Sequence, residues 1–229
     1  MRLETLFSDR ERDRPLRELP PALEMDDLLP GSGPWEVELG FGKGRYLLRL
    51  AAEHPERRYL GVEVVSKYYR KVRDRGRRRG LSNLVVARGE ALYLLSTTLP
   101  RAFAQTLHVY FPDPWPKSRH HKRRLFDPQT VDLVLGMLRP GGEFFFATDH
   151  LDYGERVVEI LDGYPDLAFE RRAEPWPDGA RTNYEAKFIR EGRPILRLEG
   201  RLSTDAPATL HPEGAVRIVA ACATAGDGD

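Results

Sequence analysis

The segment WEVELGFGKGRYLLRLAAEHP, residues 35 to 55, leaves the fewest choices for the fold. A short apolar run, Trp35–Leu39, meets a glycine-rich turn. Apolar residues then recur at 46, 47, 50 and 51, a helical stripe that Pro55 stops. Strand, tight turn and helix open a parallel βαβ unit. The alternation continues without an internal repeat. Arg58–Val62 reads as a strand and residues 64 to 79 as a basic helix closed by Gly80. Leu84–Ala87 precedes a helix at 91–96. Thr106–Phe111 precedes a helix at 128–138, with Pro128 in its first turn. The turn Arg139-Pro140-Gly141-Gly142 leads into the apolar strand Glu143–Thr148, and a helix follows at 151–162. Five such units predict an α/β fold, with a mostly parallel sheet covered by helices on both faces. Residues 167–171, 184–190 and 194–202 read as further strands with no long helix between them, so an antiparallel C-terminal edge is expected.

A length of 229 residues suits one domain with appendages. Residues 1–34 carry five prolines and many charges, and read as an arm with one short helix at 22–29. The main domain is expected over 35–190. Residues 191–229 are a C-terminal extension whose strand-like pieces, 193–202 and 215–221, could pair with each other or with the sheet edge. An apolar fraction of 41% supports a sizeable core. No apolar run approaches the ~18 residues of a membrane span. The N-terminus is charged where a signal peptide needs apolar residues. One cysteine, Cys222, excludes an internal disulfide framework and a cysteine metal site. The expectation is a cytoplasmic protein, monomer or homodimer, with no membrane or metal partner.

Net charge is only +1, but its distribution is uneven. Residues 57–124 hold 17 Lys/Arg against 4 Asp/Glu, and the rest of the chain is correspondingly acidic. That segregation is the footprint of a nucleic-acid partner, although the basic run at 67–79 taken alone also suits a solvated helix face.

Glu38 ends the first strand, and Gly40, Gly42 and Gly44 follow in the spacing G-x-G-x-G. Glycine lets the backbone turn tightly and approach a ligand. Arg45 breaks the dinucleotide spacing G-x-G-x-x-G, which disfavours a nicotinamide oxidoreductase. A purely structural turn fits the glycines equally well. Glu63 ends the second strand, where an acid can accept from ribose hydroxyls, and Glu90 follows the third. Glu90 reads almost as well as a helix N-cap. Three acids at C-terminal strand ends suit a cationic nucleoside such as S-adenosylmethionine better than a pyrophosphate.

The stretch FPDPWPKSRHHKRRLFDP, residues 111 to 128, sets a stiff acidic turn before a basic cluster. Pro112 and Pro114 restrict the backbone around Asp113. The alternative for Asp113 is a structural Asp-Pro turn. His120 and His121, set among cations, lack the ligand set and electrostatics of a zinc site.

In that order ELGFGKG, GVE, FPDPWPKSRHHKRR, LRPGGEFFFATD and RTNYE resemble the bacterial tRNA (guanine-N7)-methyltransferase family over residues 35 to 190. The resemblance implies a class I methyltransferase fold, S-adenosylmethionine as cofactor and tRNA as partner. It further implies methyl transfer to N7 of the variable-loop guanosine at nucleotide 46. By the same resemblance Glu38, Glu63, Glu90 and Asp113 contact the cofactor, with Gly40, Gly42 and Gly44 in its loop, and Asp113 is catalytic. Lys117, Asp149 and the segment Thr182, Asn183, Tyr184, Glu185 meet the substrate. Arg119, His120, His121, Lys122, Arg123 and Arg124 form an RNA-contacting loop. Glu90 stands where the family commonly has Asp, which changes its reach by one methylene.

The chemistry agrees with the resemblance. Guanine N7 has a free lone pair, so its methylation needs no general base, only alignment and accommodation of charge moving onto the purine. Asp149 can accept from the guanine N1–H and exocyclic amine, or cap the helix at 151. Thr182 and Glu185 offer a polar pair on or beside a late strand, or a capping box. Lys117 suits phosphate. An inactive RNA-binding module would leave the strand-end acids idle, and cofactor binding without RNA separates the two readings. A methyltransferase acting on another RNA base position is the alternative. An amine-methylating site would show N-P-P-[YF] where this chain has D-P-W.

Overall fold

A computed structural model describes residues 24–116 and 123–206. Most of the arm, the strand expected at 215–221, and Lys117, Arg119, His120, His121 and Lys122 therefore lie outside the described residues. The elements in chain order are α1 Met25–Leu28, β1 Trp35–Leu39, α2 Arg45–Glu53, β2 Arg58–Glu63, α3 Ser66–Arg78, β3 Leu84–Arg88 and α4 Ala91–Thr97. They continue with β4 Ala104–Tyr110, α5 Val131–Leu135, β5 Leu138–Thr148, α6 Leu151–Leu161, β6 Leu167–Arg171, α7 Asn183–Arg190 and β7 Leu196–Leu202. No described helix is long and apolar enough to cross a membrane.

The seven strands form one sheet in the order β3-β2-β1-β4-β5-β7-β6. Pairing from β3 to β5 is parallel, and β7 runs antiparallel to both its neighbours. The order reverses beside β1, so a crevice opens at the carboxyl ends of β1 and β4. Register keeps those ends level: Leu39 lies opposite Val62 on one side and Val109 on the other.

Two apolar layers cover the sheet. On one face α2 and α3 bury Leu47, Leu48, Tyr69 and Val72 against Tyr59 and Val86. The other face carries the larger core, in which Phe126 packs at 5.5 Å on Phe144 and 5.3 Å on Phe146, ring centre to ring centre. The Phe126 N–H donates to the Tyr153 hydroxyl at 3.2 Å, which ties the segment after the basic cluster to α6.

Four expectations need correction. The helix expected over 128–138 is only Val131–Leu135. The Thr130 hydroxyl turns back onto the Leu125 carbonyl at 2.9 Å, holding the preceding residues in a compact turn. The strand expected at 143–148 begins at Leu138, with residues 139–142 bulged out of the ladder. The strand expected at 184–190 is helix α7. Alternation of Tyr184, Ala186 and Phe188 with charged residues mimics a strand, but burial selects Glu185 and Phe188, one helical turn apart. The fourth concerns the domain limit at 190. The expected antiparallel C-terminal edge is present, but β7 pairs with both β5 and β6, so the sheet continues past residue 190.

Replacing Phe126 by Ala removes a fully buried ring from between two others. Stability should fall by about 3–5 kcal/mol, read as a lower urea midpoint at unchanged slope.

Candidate active site

The carboxyl ends of β1, β2, β3 and β4 open onto a cavity of about 1440 Å³ lined by described residues. Glu38, Gly40, Gly42, Glu63, Glu90 and Asp113 all contribute to its wall. So do Arg123, Thr182, Asn183 and Tyr184. Gly44, Arg124, Asp149 and Glu185 do not. Gly44 caps α2 at φ 68°, and a Cβ there would meet Val72 at 2.5 Å, so its smallness serves helix packing.

The strand-end carboxylates do different work. Glu63 is buried, and its two oxygens accept from the Gly42 and Val65 N–H groups, both at 2.8 Å. It holds the glycine turn onto the end of β2, while the Gly40 N–H donates to the Val62 carbonyl at 2.8 Å. Glu90 caps α4, accepting from the Leu92 and Tyr93 N–H groups at 3.2 and 2.8 Å. Glu38 is buried on the cavity floor, and its Oε2 has no hydrogen-bond partner.

Asp113 is exposed on the cavity wall in a turn held by unusual backbone. Phe111 and Trp115, two residues to either side, have φ of 53° and 40°, in the left-handed region that bulky residues avoid. Phe111 is retained by its N–H bond to the Ala147 carbonyl at 2.7 Å and by packing on Phe188. The other flank is braced by Arg124. Its Nε donates to the Pro114 carbonyl at 2.7 Å, Nη2 reaches the Trp115 carbonyl at 3.4 Å, and the guanidinium lies over the Tyr153 ring. Arg124 is 9% exposed, which corrects its placement on the RNA-facing surface: a cation with its donors on internal carbonyls is a brace. Arg123 is exposed, lines the cavity and lies over the Trp115 ring at 5.0 Å.

The start of α7 lies beside that turn, where Phe111 packs on Tyr184 and Phe188, and it supplies the next stretch of wall. Thr182 is the N-cap, its hydroxyl accepting from the Glu185 N–H at 3.0 Å. Glu185 is 0% exposed. Its oxygens accept from the Arg181 N–H and from Arg197 Nε, both at 2.8 Å. Its place is therefore beneath the wall, and the polar pair with Thr182 is the capping box rather than part of a strand. Tyr184 is 57% exposed and stacks on Phe188. Asp149 ion-pairs with Arg193, and the residue that caps α6 is His150, not Asp149.

Sequence reasoning missed Arg181, Tyr110, His108 and Glu36. Arg181 lines the cavity and donates to the Tyr110 hydroxyl at 2.6 Å. Tyr110 meets His108 Nδ1 at 2.9 Å, and His108 Nε2 meets Glu36 at 3.2 Å. A signal was present. Glu36 and Glu38 share one face of a wholly buried strand, as do His108 and Tyr110 on β4, and buried polar groups need partners.

Comparison with known proteins agrees with this geometry. A family model described as putative methyltransferase matches residues 32–198. The chain is 37% identical over 187 residues to the tRNA (guanine-N(7)-)-methyltransferase of Alkalilimnicola ehrlichii, covering 79% of each chain. It is 39% identical over 186 residues to that of Leifsonia xyli subsp. xyli, covering 78% of this chain and 81% of the other. The chain belongs to the tRNA (guanine-N7)-methyltransferase family. Among solved structures, the 16S rRNA methyltransferase KamB superposes with a TM-score of 0.56 at 16% identity, covering 86% of this chain and 94% of that one. The 30S ribosomal A1408 methyltransferase from an uncultured bacterium gives 0.54 at 16%, covering 83% and 95%. Both show the class I methyltransferase fold.

The cofactor of this methyltransferase family is S-adenosylmethionine, and the site fits it. Open glycine turns border the cavity, since a Cβ at Gly40 or Gly42 would touch nothing within 4 Å although each φ is positive. The orphaned Glu38 oxygen offers an acceptor to a cation. Burial pushes the Glu38 carboxyl up to about 8, with the Glu63 charge adding and the Leu47 N–H and Arg181 opposing. Because the folded value is raised, the stability this group contributes is complete below its ordinary 4.5 and is lost as pH rises through about 8. A cation bound beside it draws the proton off.

Two outcomes are expected. Cofactor binding at pH 7 should release a proton, with affinity rising by up to about tenfold per pH unit until pH 8 and then levelling. Calorimetry in buffers of differing ionisation heat reads this, and Glu38→Gln should abolish the dependence. Arg124→Ala should lower stability by about 1.5–3 kcal/mol in thermal melts, whereas Arg123→Ala should stay within about 0.5 kcal/mol of the parent.

Proposed function

We propose that this protein transfers the methyl group of S-adenosylmethionine to N7 of the guanosine at nucleotide 46 of tRNA, in the cytoplasm. The observation that carries the reading is Asp113, presented on a braced turn to the same cavity as the orphaned Glu38 carboxyl. The names of the relatives support tRNA as the substrate.

The cofactor supplies an electrophilic methyl group on a positively charged sulfur. The protein's part is placement and charge. Glu38 takes the cationic end, and the Glu63 clamp fixes the glycine turn that borders it. The nucleophile is the N7 lone pair, so no residue need remove a proton. Asp113 faces the developing positive charge of the purine without having to reorganise, because its turn is held from both sides. Beside the Asp113 turn Thr182, Asn183 and Tyr184 continue the wall, and the exposed Tyr184 ring offers a flat surface for a base. Asp149 is occupied by Arg193, so its contact with the guanine edge rests on the resemblance alone. Glu185 acts from beneath, by holding the α7 start.

Basic residues lie on α3 and at the cavity. Lys67, Lys71 and Arg75 recur every fourth residue along α3, with Arg78 and Arg79 exposed beyond them, and Tyr68 near the start of the helix lines the cavity. Arg123 adds a cation at the cavity. Lys117, Arg119, His120, His121 and Lys122, outside the described residues, belong to the same basic stretch and complete the proposed phosphate contacts. Such contacts give affinity and orientation, while the guanine supplies identity.

Mapping the modified nucleotide on bulk tRNA incubated with labelled cofactor tests the reading. Label at any position other than a guanosine N7 in the variable loop would sink it. Asp113→Ala should retain the fold and lose about 10²–10³ in single-turnover rate at saturating tRNA. A folded variant with parental turnover would leave Asp113 a structural turn residue.

A further inference from the structure

Among the described residues five basic ones line the cavity: Lys43, Arg45, Arg123, Arg181 and Lys187. Four are exposed, and Arg181 alone is buried, at 8% exposure. Its guanidinium sits in a box of rings, 4.2 Å from the centre of Trp176, 4.7 Å from Phe145 and 4.9 Å from Tyr46. Nη1 donates to the Tyr110 hydroxyl, and Nε donates to Asp178 at 3.1 Å. Asp178 is shared. Arg49 also binds its carboxylate and donates to its carbonyl at 2.8 Å. Arg49 has Glu53 as a second carboxylate at 4.0 Å, whereas Asp178, the one acid paired with Arg181, is shared, and a buried cation whose acid is shared favours a further anion beside it.

The buried acid on the same cavity is Glu38, whose Oε2 lacks a partner. The two groups sense each other, since the Arg181 charge opposes the rise of the Glu38 carboxyl. A buried acceptor for a cation and a buried cation, on one cavity floor, match a ligand carrying an ammonium and a carboxylate on neighbouring atoms. That is the chemistry of an α-amino acid. We propose that Arg181 binds the carboxylate of the cofactor's amino-acid end, opposite Glu38, which takes its ammonium. This rests on the reading that S-adenosylmethionine is the cofactor. It explains why the loop 172–182 is pinned at Asp178 by Arg49 and turned at Gly179, with φ 80°: the loop delivers one guanidinium to the cavity.

The test compares S-adenosylmethionine with its decarboxylated form, which keeps the sulfonium and an amine and lacks only the carboxylate. Both are titrated by calorimetry into the full chain, into Arg181→Gln and into Arg181→Lys, with thermal melts alongside. Loss of a charged hydrogen bond should weaken S-adenosylmethionine on the order of 10- to 100-fold in Arg181→Gln. The decarboxylated ligand should change by less than about 3-fold. Arg181→Lys keeps the charge and should show a smaller loss of the same selectivity. Should Arg181→Gln not fold, the Lys variant decides alone. Equal weakening of both ligands, or weakening of neither, overturns the proposal and leaves Arg181 a structural residue. Failure of the parent protein to bind either ligand overturns the cofactor reading itself, a distinct result.

Discussion

A single file of polar side chains, the half-exposed Arg57 followed by the buried Glu36–His108–Tyr110–Arg181, runs along one face of the sheet, and the site is built on its end. Its members come from β1, β4 and the loops beside them. Burial works to raise the Glu36 carboxyl, but its bonds to His108 and Arg57 prevail and hold it below its ordinary value. Burial holds the His108 ring below its own, in the neutral form. The bonds then agree in direction: Arg181 donates to Tyr110, Tyr110 to His108 Nδ1, and His108 Nε2–H to Glu36. A file in which each polar atom has a partner tolerates burial, whereas a broken one leaves a desolvated group exposed to its full cost. The result is one rigid cation at the cavity floor.

Carboxylates that look alike in the chain are separated by environment. Glu63 and Glu90 spend their oxygens on backbone N–H groups, so they shape the cavity as well as line it. Glu185 is sealed beneath it by Arg197 and a backbone N–H. Of these four acids Glu38 alone keeps an oxygen with no hydrogen-bond partner. Asp113 is exposed, and its value lies in position: left-handed residues flank it, and Arg124 secures the carbonyls just beyond it. The neighbours Arg123 and Arg124 are equally divided, one at the cavity and one inside the wall.

Much of this was legible in the chain. Strand and helix periods settle the parallel α/β core, because a strand buried on both faces and an amphipathic helix leave different apolar spacings. The glycine turn, the acids at strand ends and the proline-bound Asp113 were visible because each depends on local backbone chemistry. The same holds for the basic stretch, since seventeen cations in 68 residues cannot all find acids nearby.

What only the tertiary structure decided concerns partners distant in sequence. Whether Arg124 meets a phosphate or the Pro114 carbonyl depends on how Phe126 seats the following segment in the core. Whether residues 184–190 form a strand or a helix was settled by the burial of Glu185 against Arg197, a residue on β7. Insertion of β7 between β5 and β6 is a long-range pairing with no local signature. Arg181 is the fullest example. Its rings and acceptors come from α2, β4, β5 and the 172–182 loop. Local sequence chooses backbone conformation through sterics and propensity. A buried charge is placed by the sum of contacts that folding brings together.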